Sequence, residues 1–357
     1  MSLMRPQHNE VNDTKEQTKR IVVVGQGAMG LLWYHHLSEL SKKNKQLEVT
    51  LKPSSRFNYD DNSYLFTPYQ PSTYQQAPSS ENSSKKIKEP IAGLINYADS
   101  VSLKQADVVI FCLKAYQVGE AINELCEFLP QGVTLVLAHN GMGTLDSLSE
   151  AVRSKCHIAS MLSTHGCLRS NSISNSNTVT HTGLGESTIG MVSFAQLSET
   201  DSKPDSERND VALNNLKGLV VLLNNALPCV NYTKNIIEKQ WLKLAVNCVI
   251  NPITAIDNIE NGLVNSVVYL DKKHALINEI IEVAKFEGVT LHFELLADTV
   301  TKVAEATAKN SSSMRCDVQE RRQTEIDYIN GYIHALGLKN NIATPMNTLM
   351  WQQVLAK

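Results

Sequence analysis

The stretch Arg20-Ile21-Val22-Val23-Val24-Gly25-Gln26-Gly27-Ala28-Met29-Gly30 decides the fold. A β-branched run that stops at glycines reads as a buried strand entering a tight turn. Behind it, 29–40 carries Leu32, Leu37 and Leu40 at helical spacing, and Leu-Glu-Val-Thr-Leu at 47–51 alternates as a second strand. A strand-turn-helix-strand opening implies a parallel sheet with a right-handed crossover. In that setting G-x-G-x-x-G has a mechanism. Gly25 permits the turn, Gly27 lets a pyrophosphate approach the backbone, and Gly30 lets the helix lie close on the sheet. The helix N-terminus then offers N–H groups and a partial positive charge to phosphates. Gly25, Gln26, Gly27, Ala28, Met29 and Gly30 are therefore expected to bind a dinucleotide, the alternative being a glycine-rich turn that holds nothing.

The end of the second strand selects the dinucleotide. Asp or Glu there suits the ribose of NAD, whereas a cation suits the 2′-phosphate of NADP. The strand runs out as Thr50-Leu51-Lys52-Pro53-Ser54-Ser55-Arg56, and no carboxylate follows before Asp60. Lys52 or Arg56 can pair with a phosphate, so NADPH/NADP+ is the expected cofactor. Two further strand ends open on the same crevice, because ligands of open α/β sheets sit at the carboxyl ends of the strands. They are Leu113-Lys114-Ala115-Tyr116-Gln117 and Asn140-Gly141-Met142-Gly143. Lys114 suits phosphate or ribose oxygens, and Asn140 suits a carboxamide, a ribose or a substrate.

Outward from this core, strands are expected at 107–113, 133–138, 157–163, 178–181 and 187–191, with a helix over 118–129. Residues 53–90 are rich in Ser, Asn, Gln, Tyr and Pro and read as a polar insertion with at most short edge strands. Residues 197–210 read as a loop. From Glu238 onward nearly everything is helical, with interruptions expected at Pro252, Gly262, Gly288, 311–313 and Gly337. The fold class is therefore α/β: an N-terminal Rossmann-type parallel sheet domain over 20–232, then an all-helical C-terminal domain over 233–357. The polar residues 1–19 read as a tail outside the fold.

Composition narrows the partners. A chain of 357 residues is long enough for two domains. A net charge of -3 without a basic stripe argues against a nucleic-acid partner. No apolar run approaches the ~18 residues that a membrane span needs, and the start lacks the apolar core of a signal peptide. Seven cysteines with no C-x-x-C spacing read as reduced thiols of a cytoplasmic protein, with neither a disulfide framework nor a metal site expected. The expected partner is a small molecule, acting on a monomer or homodimer.

Two helical segments carry polar residues in apolar company. In Trp241-Leu242-Lys243-Leu244-Ala245-Val246-Asn247-Cys248-Val249-Ile250-Asn251-Pro252, Lys243, Asn247 and Asn251 recur every four residues and share a helix face. Asn251 precedes proline and is biased away from helical geometry, so the shared face is secure for Lys243 and Asn247. A lysine in so apolar a helix is either desolvated, with a lowered pKa suited to proton donation, or snorkels to solvent. The second segment is Ser311-Ser312-Ser313-Met314, a helix cap, followed by Arg321 to Gly331. There Glu325 borders the apolar face of Ile326, Ile329 and Ile333, and needs a partner such as Lys243 or a substrate hydroxyl.

Taken together these stretches resemble the ketopantoate reductase (2-dehydropantoate 2-reductase) family. The matching motifs are G-Q-G-A-M-G, L-K-A-Y-Q-V at 113–118, H-N-G-M-G at 139–143, H-T-G-L-G at 181–185, W-L-K-L-A-V-N-C-V-I-N-P-I-T-A-I at 241–256, and S-S-M-R-C-D-V with R-x-T-E-I-D-Y-I-N-G through 331. The resemblance implies a Rossmann domain and a helical domain with the active site between them. It implies Lys243 as proton donor, and Asn140, Asn247, Asn251, Asn261 and Ser313 as substrate contacts. It implies Lys52, Lys114, Asn140 and Cys167 as cofactor contacts, and Glu325 as the acid that meets both. The insertion at 53–90 departs from the compact family pattern. The implied reaction is reduction of 2-dehydropantoate to pantoate. A reductase of another branched 2-ketoacid and a non-catalytic NADP-binding protein are the rivals.

Overall fold

The computed structural model describes residues 18–53, 62–70, 89–171, 177–195 and 205–357. In chain order the elements begin β1 (Lys19–Val24), α1 (Ala28–Ser41), β2 (Leu47–Lys52), β3 (Ser63–Thr67), β4 (Ile91–Leu94), α2 (Ser100–Lys104), β5 (Val108–Phe111), α3 (Ala115–Leu125), β6 (Thr134–Leu137), α4 (Glu150–Lys155) and β7 (His157–Ser163). They continue β8 (Gly166–Asn171), β9 (Asn177–Gly183), β10 (Ser187–Ser193), α5 (Asp205–Ala226) and β11 (Val230–Tyr232). Helices follow: α6 (Ile236–Asp257), α7 (Leu270–Phe286), α8 (Phe293–Ala306), α9 (Ser313–Gln319), α10 (Asn330–Lys339) and α11 (Pro345–Leu355). The protein is thus an α/β sheet domain followed by a helical region. β1 starts at Lys19, one residue inside the segment read as a tail.

Among the described residues the main sheet has the order β11-β10-β7-β6-β5-β1-β2. β2, β1, β5, β6 and β7 are parallel, while β10 runs antiparallel to β7 and carries β11 beside it. The strand order turns back at β1 and β5, which opens a crevice at their carboxyl ends. Apolar side chains cover both faces of these strands, as the unbroken runs Val-Val-Ile-Phe and Thr-Leu-Val-Leu require.

A second sheet of order β4-β3-β9-β8 folds over α1. This corrects the reading of 53–90 as bearing at most edge strands: β3 lies inside that sheet, with β9 parallel on one side and β4 antiparallel on the other. Alternation places Tyr64 and Phe66 inward, where both are buried. The His35 ring stacks on Phe66 at 3.8 Å and its Nδ1 meets the Tyr64 hydroxyl at 3.0 Å. Covered by this sheet and by α5, α1 buries Leu31, Leu32, Trp33, Tyr34, His35 and Leu37, so it lacks a polar face over these positions.

Histidines crowd this inter-sheet layer. Burial, offset only in part by Glu39, lowers His35 to about 4. Burial, reinforced by His35, His181 and His165, lowers His36 to about 4. Burial and the nearby His181 lower His165 to about 4 as well. These rings fold neutral and must take up protons on unfolding below their ordinary value of 6.5. Stability is therefore full above pH 6.5 and is lost as pH falls toward 4. Denaturant midpoints at pH 7 and pH 4.5 measure the fall, which is expected to shrink in His35→Gln/His165→Gln, whose side chains do not titrate. An equal fall in that variant excludes His35 and His165 as its source.

Three helical corrections have physical causes. The segment 197–210 is not loop throughout, because α5 begins at Asp205; residues 196–204 lie outside the described set. Its stripe of Ala212, Leu216, Leu219 and Leu223 is buried on the α/β core. Pro252 does not interrupt α6, and Asn251 is helical and buried. Proline removes the N–H that would meet the carbonyl four residues back, here that of Cys248. The Asn330 amide donates to that oxygen at 3.0 Å and also to Asn347 Oδ1 at 3.0 Å. Asn347 in turn donates to Glu279. Asn330→Leu is expected to cost about 1–3 kcal/mol, since it strands a buried carbonyl. Chemical denaturation checks this, and a loss below roughly 0.5 kcal/mol would show that the carbonyl needs no such partner. Gly337 also fails to break α10, because a Cβ there would press within 2.8 Å of Thr344 Cγ2, so glycine serves close packing.

Candidate active site

The glycine loop links β1 to α1. Gly25 adopts φ +107°, and a Cβ on Gly30 would lie 1.9 Å from the Gly25 carbonyl oxygen, so the loop and helix close only on glycine. At Gly27 a Cβ would meet nothing within 4 Å. That open space lies at the start of α1, where first-turn N–H groups have no helical acceptor. The cradle suits a pyrophosphate. Gln26 is buried, its side-chain oxygen unpartnered and its main-chain oxygen 2.7 Å from Arg169 Nη1. The Cys167 thiol donates to Ala28 O at 3.4 Å, and burial pushes it up to about 12, so it stays protonated. Lys52 ends β2 partly exposed, its carbonyl taking the Gly25 N–H at 2.8 Å. Arg56 lies outside the described residues.

At the next strand end Lys114 caps α3. Its Nζ lies 2.5 Å from Asp317 Oδ2 and 3.5 Å from Glu325 Oε2. Burial opposes its charge, but Glu325 and then Asp317 outweigh it and raise its pKa. Asp317 is 2% exposed and also receives Arg322 Nε at 3.1 Å. Glu325 is 4% exposed, and its Oε1 accepts the Ala115 N–H at 3.0 Å. A carboxylate from the helical region therefore sits on the positive N-terminal end of α3 in the sheet domain. The expectation from sequence is that Glu325 needs Lys243 or a substrate hydroxyl; its direct partners are Lys114 and the Ala115 amide, while its charge still acts on Lys243.

The turn after β6 docks on the same segment. Met142 N–H donates to Tyr328 O at 2.9 Å, and a Cβ on Gly141 would fall 2.4 Å from that oxygen. His139 Nδ1 meets the Asn140 carbonyl at 3.0 Å, so Nδ1 carries the proton and Nε2 accepts from Thr144 Oγ1 at 3.0 Å. Burial lowers the pKa of His139. The Asn140 side chain is partly exposed.

α6 brings Lys243 to the carboxyl end of β7, where Nζ donates to Ser163 O at 2.9 Å. Burial lowers Lys243 to about 8, with Glu325 opposing. Asn247 follows partly exposed and Asn251 buried on α6. Asn261 is buried in a turn, its Nδ2 donating to Thr307 Oγ1 at 3.0 Å and its Oδ1 without a partner. Its N–H reaches Asn310 O, just ahead of the serines. Ser312 caps α9 and bonds Thr254 Oγ1 of α6 at 2.7 Å, which sets exposed Ser313 beside α6. Sequence reasoning did not single out Asp317, Arg169 or Ser163. Asp317 had a signal, standing four residues from Ser313 within a quoted motif; the other two had none, since a main-chain acceptor and a residue of an unforeseen strand leave no pattern.

A sheet domain with a nucleotide cradle, facing a helical region that brings a desolvated lysine and a carboxylate to the strand ends, defines a two-domain oxidoreductase. The model for ketopantoate reductase PanE/ApbA matches 21–193, and that for its C-terminal part matches 235–357. The chain belongs to the ketopantoate reductase family. It is 31% identical over 334 residues to the 2-dehydropantoate 2-reductase of Vibrio cholerae, covering 94% of this chain and 96% of that one. It is 30% identical over 340 residues to that of Escherichia coli O157:H7, covering 95% of each. Among solved structures, the PanE/ApbA family ketopantoate reductase from Ralstonia eutropha superposes with a TM-score of 0.70 at 20% identity over 94% of this chain and 97% of that one. D-mandelate dehydrogenase with NADH and anilino(oxo)acetate superposes with a TM-score of 0.72 at 19% identity over 94% and 97%. Both show the shared fold. Among the described residues no helix is long and apolar enough to cross a membrane, and no cluster of three or more His, Cys, Asp or Glu side chains is arranged to hold a metal.

Proposed function

We propose that this chain reduces 2-dehydropantoate to pantoate with NADPH, in the cytoplasm, within pantothenate and coenzyme A biosynthesis. The observation that carries the reading is the Lys243 ammonium, desolvated and facing a main-chain carbonyl rather than a neutralising carboxylate. Relatives named 2-dehydropantoate 2-reductase at about this level of identity over nearly the whole chain support the substrate.

The functional units are 20–232 for the cofactor and 233–357 for substrate and catalysis. The α1 N-terminus with Gly27, Ala28 and Met29 holds the pyrophosphate, and Lys52 the 2′-phosphate. Cys167, Lys114, Asn140 and Glu325 line the path toward the reacting end. When bound, the reduced nicotinamide supplies the hydride. Lys243 donates a hydrogen bond to the C2 carbonyl oxygen and passes its proton there as alkoxide charge develops. With a pKa of about 8 it is mostly protonated at pH 7 and yet a usable acid. Asn247, Asn251, Asn261 and Ser313 orient the substrate's carboxylate and hydroxyl. Asn261 Oδ1, buried and lacking a partner, is an acceptor suited to that hydroxyl.

The test is NADPH oxidation with 2-dehydropantoate set against simple branched 2-ketoacids. Preferential turnover of 2-dehydropantoate is expected. Preference for another 2-ketoacid would transfer the activity to that substrate, and no turnover of any would leave an NADP-binding protein. Sedimentation of the purified chain separates monomer from homodimer.

A further inference from the structure

We propose that Arg169 is a second cation of the cofactor's 2′-phosphate pocket, acting beside Lys52 to select NADPH over NADH. The inference rests on the NADPH reading above and names a residue that no sequence pattern points to.

The placement follows from β8. Along this strand alternate side chains face opposite ways. Cys167 and Arg169 turn toward the glycine loop, reaching Ala28 O and Gln26 O, while Leu168 is 57% exposed on the other side. Arg169 thus touches the main chain of the loop that opens the nucleotide cradle. The residue before its acceptor, Gly25, donates to Lys52 O at 2.8 Å, so guanidinium and Lys52 flank the same short piece of backbone. On the outer edge of β2, Tyr97 bridges Leu51, and the Tyr97 phenol lies near enough to Arg169 to act on its charge. The bond to Gln26 O and the nearness of Tyr97 therefore place Arg169 near the carboxyl end of β2. In this type of sheet that strand end faces the adenosine ribose.

The chemistry of the group agrees with the position. Nη1 is held by Gln26 O and Nη2 by Asn177 Oδ1 at 2.5 Å, so the fork is oriented before any ligand arrives. A guanidinium carries five N–H donors in one plane. It matches phosphate oxygens bidentately and is weakly hydrated. Burial lowers the pKa of Arg169, the sign of a cation in a poorly hydrated setting where an incoming dianion is strongly favoured. The local sequence supplies no competing acid: between Glu48, which pairs with Arg20, and Asp60 there is no carboxylate.

Arg169 would be a mere brace of the loop if its bond to Gln26 were its whole role, and the two cases separate by ligand. Calorimetric titration of the full chain with 2′,5′-ADP and with 5′-ADP compares ligands that differ in the 2′-phosphate. For Arg169→Gln, binding of 2′,5′-ADP is expected to weaken at least about tenfold, the loss of one charge-assisted contact. Binding of 5′-ADP should change less than about twofold. Arg169→Lys, which keeps the charge without the fork, should fall between, and it carries the test if Arg169→Gln does not fold. The ratio of kcat/KM for NADPH over NADH should drop in parallel. Equal weakening of both ligands, or no weakening of either, overturns the proposal while leaving NADPH use intact. A wild-type chain that binds the two ligands equally overturns the NADPH reading and this proposal with it.

Discussion

Lys243→Ala is expected to lower kcat on 2-dehydropantoate by about 10²–10⁴-fold, the usual contribution of a positioned general acid. Substrate binding should weaken far less, because the side chains proposed to hold the substrate's carboxylate and hydroxyl are untouched. Lys243→Arg keeps the charge but yields its proton only at very high pH, so it should stay slow as well. The pH profile carries the same signature. Burial depresses Lys243 to about 8, and the active form is the ammonium, so activity should be steady below that value and decline as pH rises through it. In Lys243→Ala that alkaline limb should vanish. A variant within about tenfold of the parent rate removes Lys243 from the mechanism.

The second large effect is expected at Glu325, which joins the two halves of the site. Glu325→Ala leaves the Ala115 N–H without its acceptor and Lys114 with Asp317 alone. A buried donor left unpaired costs about 1–3 kcal/mol of stability, and the misplaced Lys114 should reduce kcat/KM by about 10²-fold or more. Glu325→Gln separates charge from hydrogen bonding. It retains an acceptor for Ala115 and should recover much of the stability. Its loss of charge also removes the attraction that raises Lys243, so the alkaline limb should move to lower pH. An unmoved limb in Glu325→Gln would show that the two groups do not communicate electrostatically.

These effects span two parts of the chain that are legible in sequence to different degrees. The glycine loop could be read because a turn of that shape admits few residues, and Gly25 and Gly30 show why: one has φ +107°, the other a 1.9 Å clash for any Cβ. The parallel strands could be read because burial on both faces demands continuous apolar runs. Lys243 stood out because one charge in an apolar helix is rare. The second sheet did not stand out, since β3 is a short strand within a polar region whose Tyr64 and Phe66 gain their burial against α1, while β4 stays largely exposed. α5 was hidden by its charged first turn. Pro252 looked like a break because its remedy, the Asn330 amide, lies 78 positions downstream.

What the sequence determined by itself is therefore local. Periodicity, turn residues and lone polar groups specify the α/β sheet domain, the helical region after it, and the lysine, asparagines and glutamate set among apolar neighbours. What tertiary structure alone decided is pairing. Glu325 meets Lys114 and the start of α3, Lys243 meets Ser163, and Arg169 meets the glycine loop. Partners separated by 80 to 211 positions are joined by strand order and helix packing. Those arrangements depend on the summed burial of three cores, a property of the whole chain that no short stretch of it encodes.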